Sequence, residues 1–382
     1  MKITDVKTTA LVRPHDRVAR NATRILASRD VLLAEVLTDE GVTGVGYITG
    51  TGAALGSEIF VIKEIVDRAL VDMVKGEDPF CVEKLWDRMF RLTHRYGRKG
   101  AAIRAMSVVD IALWDLMGKA PGKPLYKLLG GFRDEVPVYG AGLYYIEGQG
   151  VDGLVRHLMS YVDMGIHDVK LKVGGMSFTE DTERVKAVRE AIGPNGKLML
   201  DANQAYDPGQ AYDPGAAIKA ARLWEQYDIA WFEEPVPADN IAGYVKVANA
   251  ISIPIAGGEE EYTRWGFTDL ITNGALGVCQ ADAGRCGGIT EWMKIAAMAS
   301  AWNIPMAPHS VPEIGAHLVG AVSNGMVVEW YYPNHMSQQL MTELFEEPLE
   351  VKDARNGTVK VPQAPGLGLK LNQKTVARYK VA

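Results

Sequence analysis

Apolar and polar positions along the chain fall into two textures. From Met1 to about Gly131, strands come first and helices after: "KITDVKTTALVR" and "VLLAEVLTDEGVTGVGY" alternate with period two, the second around an Asp-Glu-Gly turn, and predict antiparallel strands. Helical spacing follows over about residues 57–75, 80–92 and 99–119. From Val138 onward eight short apolar runs alternate with amphipathic stretches: "YGAGLYY", "DVKLKV", "KLMLDAN", "IAWFEEP", "PIAGGEE", "GVCQADA", "IPMAPHS" and "MVVEWY". Between the first two, Val151, Leu154, Val155, Leu158, Met159 and Val162 recur at helical spacing. Strand and helix in turn, at roughly 20–30 residues per unit, imply parallel strands with right-handed crossovers. Eight such units fit a closed barrel better than an open sheet. The alternation stops after Tyr331. The predicted organisation is α/β: a modified TIM (β/α) barrel over 132–339, with an α+β capping domain over 1–131 onto which 340–382 pack back.

A chain of 382 residues with 47% hydrophobic content can bury a large core. Its mixed charge, 41 basic against 47 acidic residues for a net −6, gives no basic field for nucleic acid or an anionic membrane. Three scattered cysteines, Cys81, Cys279 and Cys286, are too few for a disulfide framework and read as packing residues in a reducing compartment. The start alternates like a strand, unlike a signal peptide, and no run approaches the ~18 apolar residues of a membrane span. A cytoplasmic protein is expected, without nucleic-acid or membrane partners.

Placing the polar residues on the runs changes the picture. Lys170 and Lys172 end the second run, Asp201 and Asn203 the third, Glu233 the fourth, Glu259 the fifth, Asp282 the sixth, His309 the seventh and Glu329 the eighth. In a barrel these positions share one mouth, where catalytic groups of this architecture gather. Each has a plainer reading alone: the lysines facing solvent, Asp201 and Asp282 as turn or N-cap residues, the glutamates as solvated charge, His309 as a hydrogen-bonded core histidine. Their common register favours chemistry. Asp201, Glu233 and Glu259 form an all-oxygen set suited to one Mg²⁺, without which three converging carboxylates would raise one another's pKa. A second ammonium and a nearby cation would lower the pKa of Lys172 toward that of a base, with Lys170 its charge partner. His309 with Asp282 makes a second acid/base unit. Glu329, if protonated, would hydrogen-bond a substrate oxygen.

Over essentially its whole length the chain resembles the enolase superfamily, in its mandelate racemase-like subgroup. The motifs that carry this are "KLK" (170–172), "DAN" (201–203), "FEEP" (232–235), "GGEE" (257–260), "DAGRCGG" (282–288), "HS" (309–310), "EW" (329–330) and the lead-in "DIALWDLMGKAPGKPLYKLLGG" (110–131). The resemblance implies that Asp201, Glu233 and Glu259 bind Mg²⁺ and that Lys172 and the His309/Asp282 pair face the substrate from opposite sides. Glu329 would be the electrophilic donor, and loss of a proton α to a carboxylate would give a metal-stabilised enediolate.

Two stretches bear on the substrate. "AYDPGQAYDPG" (205–215) is a tandem copy that lengthens the interval from Asp201 to Glu233; it reads as a tolerated surface duplication, or one that lets Tyr206 or Tyr212 reach substrate. "RPHDRVARNATR" (13–24) is the candidate capping loop, polar and cationic, with Arg17, Arg20, Asn21 and Arg24 available for hydroxyls or a second carboxylate. Arg20, Asn21, Tyr144 and Asn203 are the candidate substrate contacts. Dehydration of a sugar acid, an aldonate or aldarate, to a 2-keto-3-deoxy acid is favoured; racemisation or epimerisation of a 2-hydroxy acid is the alternative on the same groups. A homo-oligomer acting on a small carboxylate is expected. Two rival classes are weaker: "GVGYITGTG" (44–52) lacks the GxGxxG spacing of a dinucleotide loop opening a helix, and a non-catalytic metal scaffold would not need both proton-transfer units.

Overall fold

The N-terminal alternation becomes a meander of β1 (Ile3–Arg20), β2 (Ile25–Thr38) and β3 (Thr43–Thr51), antiparallel in the order β3-β2-β1. The structure, a computed structural model, describes residues 1–51, 57–205, 213–333, 335–349 and 357–381. Helix Ala101–Lys119 lies against the sheet so closely that a β-carbon on Gly46 would sit 2.4 Å from the Val108 carbonyl oxygen. The "GVGY" glycines therefore serve helix–sheet contact in a strand.

The expected capping loop at 13–24 is corrected. Residues 13–20 continue β1, pairing with β2 down to Arg20↔Ile25 across an irregularity after Pro14, so only residues 21–24 turn. The hairpin tip reaches the barrel, where Ala19 and Arg20 pair with β5 (Tyr145–Ile146).

The barrel strands are β4 (Glu135–Leu143), β6 (Val169–Lys172), β7 (Leu198–Asp201), β8 (Ile229–Glu233), β9 (Ile255–Gly257), β10 (Val278–Cys279) and β11 (Val328–Trp330). They run parallel in the order β10-β9-β8-β7-β6-β4-β11. The seventh predicted run forms only bridges: Met306 pairs with Cys279 and Gly325, and its N–H donates to Asn324 O at 2.8 Å. Pro305 and Pro308 flank it and have no N–H to extend a ladder. These bridges nonetheless close the cylinder between β10 and the approach to β11. β12 (Thr358–Lys360) adds antiparallel to the start of β4, and near the chain end Lys380 bridges Leu11 on β1.

Helix Ala101–Lys119 ties these parts together. Asp110 accepts from Thr290 N–H at 2.9 Å and its hydroxyl at 2.6 Å, at the start of the helix after β10; Asp115 accepts from Val45 N–H at 2.7 Å and Leu367 N–H at 2.8 Å. Cys279 and Cys286 are buried and unpaired, whereas Cys81, expected to pack, is exposed at the start of helix Val82–Thr93. Among the described residues no helix is long and apolar enough to cross a membrane.

Candidate active site

Strand register builds the site. Lys172 pairs with Asp201, and Asp201 with Glu233, as direct neighbours across β6, β7 and β8. Period two sends Lys170, Lys172, Asp201 and Glu233 into the barrel while Leu171, Leu200 and Phe232 pack outward in the main core. Tyr139, Met199, Trp231, Ala256, Val278 and Ala307 cluster apart from that core, forming an apolar barrel interior, and Lys170 Nζ lies 5.4 Å from the Tyr139 ring centre.

One carboxylate oxygen from each of Asp201, Glu233 and Glu259 lies within 4.8 Å of the others, and all three residues are buried. Asp201 forms a short ion pair with Lys172, lies 3.5 Å from Lys170 Nζ, and accepts from Asn203 N–H at 2.8 Å. Glu233 accepts from Lys170 at 2.9 Å, Trp231 Nε1 at 3.1 Å and Gln280 Nε2 at 2.6 Å. Glu259 Oε2 is buried and accepts no hydrogen bond, although His309 Nε2 is 3.2 Å away. An orphaned oxygen within an all-oxygen triad fits Mg²⁺, a hard cation that binds through carboxylates. Burial, then repulsion from Asp201, pushes Glu233 up to about 8. Burial acts the same way on Asp201, but Lys172 and Lys170 outweigh it and hold that carboxyl below its ordinary value.

The protein's own charges act on two further groups of the site. Burial opposes the Lys172 ammonium, but Asp201 heads the charges that outweigh this, and its pKa is raised; Lys170 repels it less strongly than Asp201 attracts it. Burial also opposes ionisation of Glu329, yet Lys170, 3.2 Å away, leads the groups that pull its carboxyl well below its ordinary value. Glu329 also accepts from Ser310 N–H at 2.7 Å and Tyr331 OH at 3.1 Å.

On the far strands, Asp282 Oδ2 lies 2.8 Å from His309 Nδ1, which leaves Nε2 toward Glu259. Burial works against the imidazolium, but Glu259 and the Asp282 hydrogen bond outweigh it and raise the His309 pKa. The backbone after His309 is left-handed at Ser310 (φ 55°) and Val311 (φ 37°), a conformation a β-branched residue adopts at a cost of about 1–3 kcal/mol.

One cavity is lined by Asn21, Tyr144, Lys172, Asn203, Glu259 and His309, with Glu329 on its wall. Lys172 Nζ lies 5.5 Å from the Tyr144 ring centre, and Asn203 Oδ1 is buried without a hydrogen bond. The Asn21 side-chain oxygen accepts from Thr23 N–H at 2.9 Å and Arg24 N–H at 2.7 Å, so it shapes the hairpin turn. Arg20 is not among the lining residues; it donates to the Gly175 carbonyl at 2.9 Å and stacks on Tyr145, docking the hairpin to the barrel. Tyr206 and Tyr212 lie outside the described residues.

Sequence reasoning passed over Arg29, Glu260, Arg285 and Tyr331, which belong to the site or its wall. Glu260 takes Arg24 at 2.8 Å and Arg285 at 2.6 Å; burial opposes its charge, but Arg285 and then Arg24 pull it down to about 2. A signal for Arg29 was present in "SRD", charge interrupting the apolar run of β2.

Comparison with known proteins agrees with this geometry. The mandelate racemase / muconate lactonizing enzyme N-terminal domain matches residues 3–130, and the enolase C-terminal domain-like family matches residues 153–375. An arabinonate dehydratase of Saccharolobus solfataricus is 35% identical over 92% of this chain and 91% of its own length. An L-talarate/galactarate dehydratase of Salmonella typhimurium is 34% identical over 90% of this chain and 81% of its own. A racemase from Streptomyces coelicolor, solved with bound magnesium, superposes with a TM-score of 0.90 at 31% identity, covering 99% of this chain and 100% of that one. Other relatives are named cycloisomerases. The chain belongs to the mandelate racemase/muconate lactonizing enzyme family of the enolase superfamily.

Proposed function

We propose that the protein dehydrates a sugar acid, an aldonate or aldarate, by removing the proton α to the carboxylate and expelling the β-hydroxyl as water. The observation that carries this is the pair of proton carriers attached to different members of the carboxylate triad: Lys172 on Asp201, and His309 Nε2 3.2 Å from Glu259. Mg²⁺ held by Asp201, Glu233 and Glu259 would supply positive charge against an enediolate and, by engaging Asp201, against the Lys172 ammonium. One carrier takes the α-proton, breaking Cα–H. His309, oriented by Asp282, protonates the β-hydroxyl as Cβ–O breaks, and the enol becomes the 2-keto-3-deoxy acid. Lys170 fixes Glu233 and Glu329 without transferring a proton. The named dehydratases among the relatives support this choice.

Racemisation or epimerisation is the second reading, favoured by the racemase relative and by the same two-carrier geometry. Incubating a panel of mono- and dicarboxylate sugar acids with enzyme and Mg²⁺ in deuterium oxide separates the two. Dehydration gives a 2-keto acid abolished by EDTA, epimerisation gives an α-deuterated stereoisomer and no 2-keto acid, and formation of neither product from any acid would overturn both.

A further inference from the structure

Arg29 on β2 is 5% exposed and lines the same cavity as Lys172, Glu259 and His309. Its Nε donates to the Ser337 carbonyl at 2.8 Å, which fixes the guanidinium plane. Among the described residues, Nη1 and Nη2 make no hydrogen bond, and no carboxylate oxygen lies within 4.0 Å of the guanidinium. Neither nitrogen is sealed off as a buried unpaired donor would be.

The contrast with its neighbours is sharp. Arg24 and Arg285 share Glu260 as counterion. Glu313, the acid that senses Arg29's charge, already accepts the Tyr47 hydroxyl at 2.6 Å. A nearly buried cation without a counterion carries a desolvation penalty that nothing offsets. The other two arginines of the cavity are paired, so the anion that suits Arg29 is one that arrives with the ligand.

A substrate's reacting carboxylate belongs beside the triad and the two proton carriers. An anion at Arg29 must then be the other end of the same molecule. The two unoccupied Nη groups form the fork that takes a carboxylate in bidentate fashion, which a hydroxymethyl terminus cannot match. We propose that Arg29 is the specificity residue for a second, terminal carboxylate, so that the substrate is a sugar diacid and not an aldonate. This rests on the acid-sugar reading above.

The test pairs each aldarate with the aldonate of the same configuration. With Mg²⁺ present, the wild-type protein is expected to favour the diacid by at least about tenfold in kcat/KM, the worth of one charge-assisted contact. In Arg29→Met that ratio collapses, and in Arg29→Lys, which keeps charge but loses the fork, it falls partway. Calorimetric binding of the same pairs gives a readout independent of turnover, with the diacid at least about tenfold tighter in wild type only. Preference for aldonates, or a ratio unchanged in Arg29→Met, overturns the assignment. If Arg29→Met does not fold, the wild-type ratio and Arg29→Lys decide. If neither series turns over, the dehydratase reading fails while the binding ratio still decides the role of Arg29.

Discussion

His317 provides a measurable link between cap, barrel and C-terminal segment. It is fully buried in helix Pro312–Ala321, with Nδ1 accepting the Tyr126 N–H at 3.2 Å and Nε2 donating to the Leu367 carbonyl at 3.1 Å. Both partners are satisfied only by the neutral ring; a second proton would set one N–H against another. Burial, partly opposed by the Leu367 carbonyl, pulls the pKa down to about 4 from an ordinary 6.5. The unfolded chain therefore binds a proton between those values that the folded chain refuses, so stability falls as pH drops below about 6.5 and levels off below about 4. At about 1.36 kcal/mol per pH unit, that gap amounts to about 3 kcal/mol. His157, His15 and His335 are also depressed by burial and steepen the wild-type curve, so the informative quantity is the difference from His317→Gln, which keeps an acceptor and a donor without titrating. Urea unfolding of the EDTA-treated proteins from about pH 7.5 to 4.5 is expected to show the variant gaining about 2–3 kcal/mol relative to wild type. Parallel curves would refute the buried neutral imidazole.

Lys172→Met and His309→Asn are each expected to lower turnover of the reactive sugar acid by about 10²–10⁴-fold while circular dichroism is unchanged; full activity in either removes that residue from proton transfer. Gln280→Ala, which deletes the 2.6 Å hydrogen bond to Glu233 without touching a ligand position, is expected to weaken Mg²⁺ binding about 10–100-fold by calorimetry. Gly46→Ala forces a methyl group against the Val108 carbonyl and is expected to destabilise the fold by about 1–3 kcal/mol in urea unfolding, with Mg²⁺ affinity retained in the folded fraction.

The barrel was legible because buried parallel strands write themselves as short apolar runs, and inward residues recur every second position. Lys170, Lys172, Asp201 and Glu233 were placed on one mouth by that rule alone. Less was legible where long-range pairing overrides local pattern. Residues 13–20 are polar enough to read as a loop, but antiparallel partners on β2 and β5 supply their hydrogen bonds and keep them in a strand. The seventh run is apolar like the others, yet its two prolines reduce it to bridges. The charge balance was the hardest to read, since Glu329 looks like a lone acid in sequence, and the Lys170 ammonium and Ser310 N–H that offset its burial come from distant strands and loops. Arg29 stayed hidden because the sequence of β2 does not show which side chains from other elements lie beside it.

Lys170 explains why such a charge density can fold at all. It is 0% exposed and lies 2.9 Å from Glu233, 3.2 Å from Glu329 and 3.5 Å from Asp201, so one ammonium touches a carboxylate from each side of the barrel mouth. Burial works against its charge, but Glu233 and then Glu329 outweigh it and raise its pKa. Removing Lys170 would leave Glu233 and Glu329 without an ammonium beside them, in a medium where an uncompensated ion costs several kcal/mol. The group is thus fixed before any ligand enters, and among the described residues Glu259 Oε2, Asn203 Oδ1 and the Arg29 Nη groups line the cavity without a hydrogen-bond partner. Where a network this closely balanced leaves a gap, the gap points to the ligand: a cation at the carboxylate triad and, on the proposal above, an anion at Arg29.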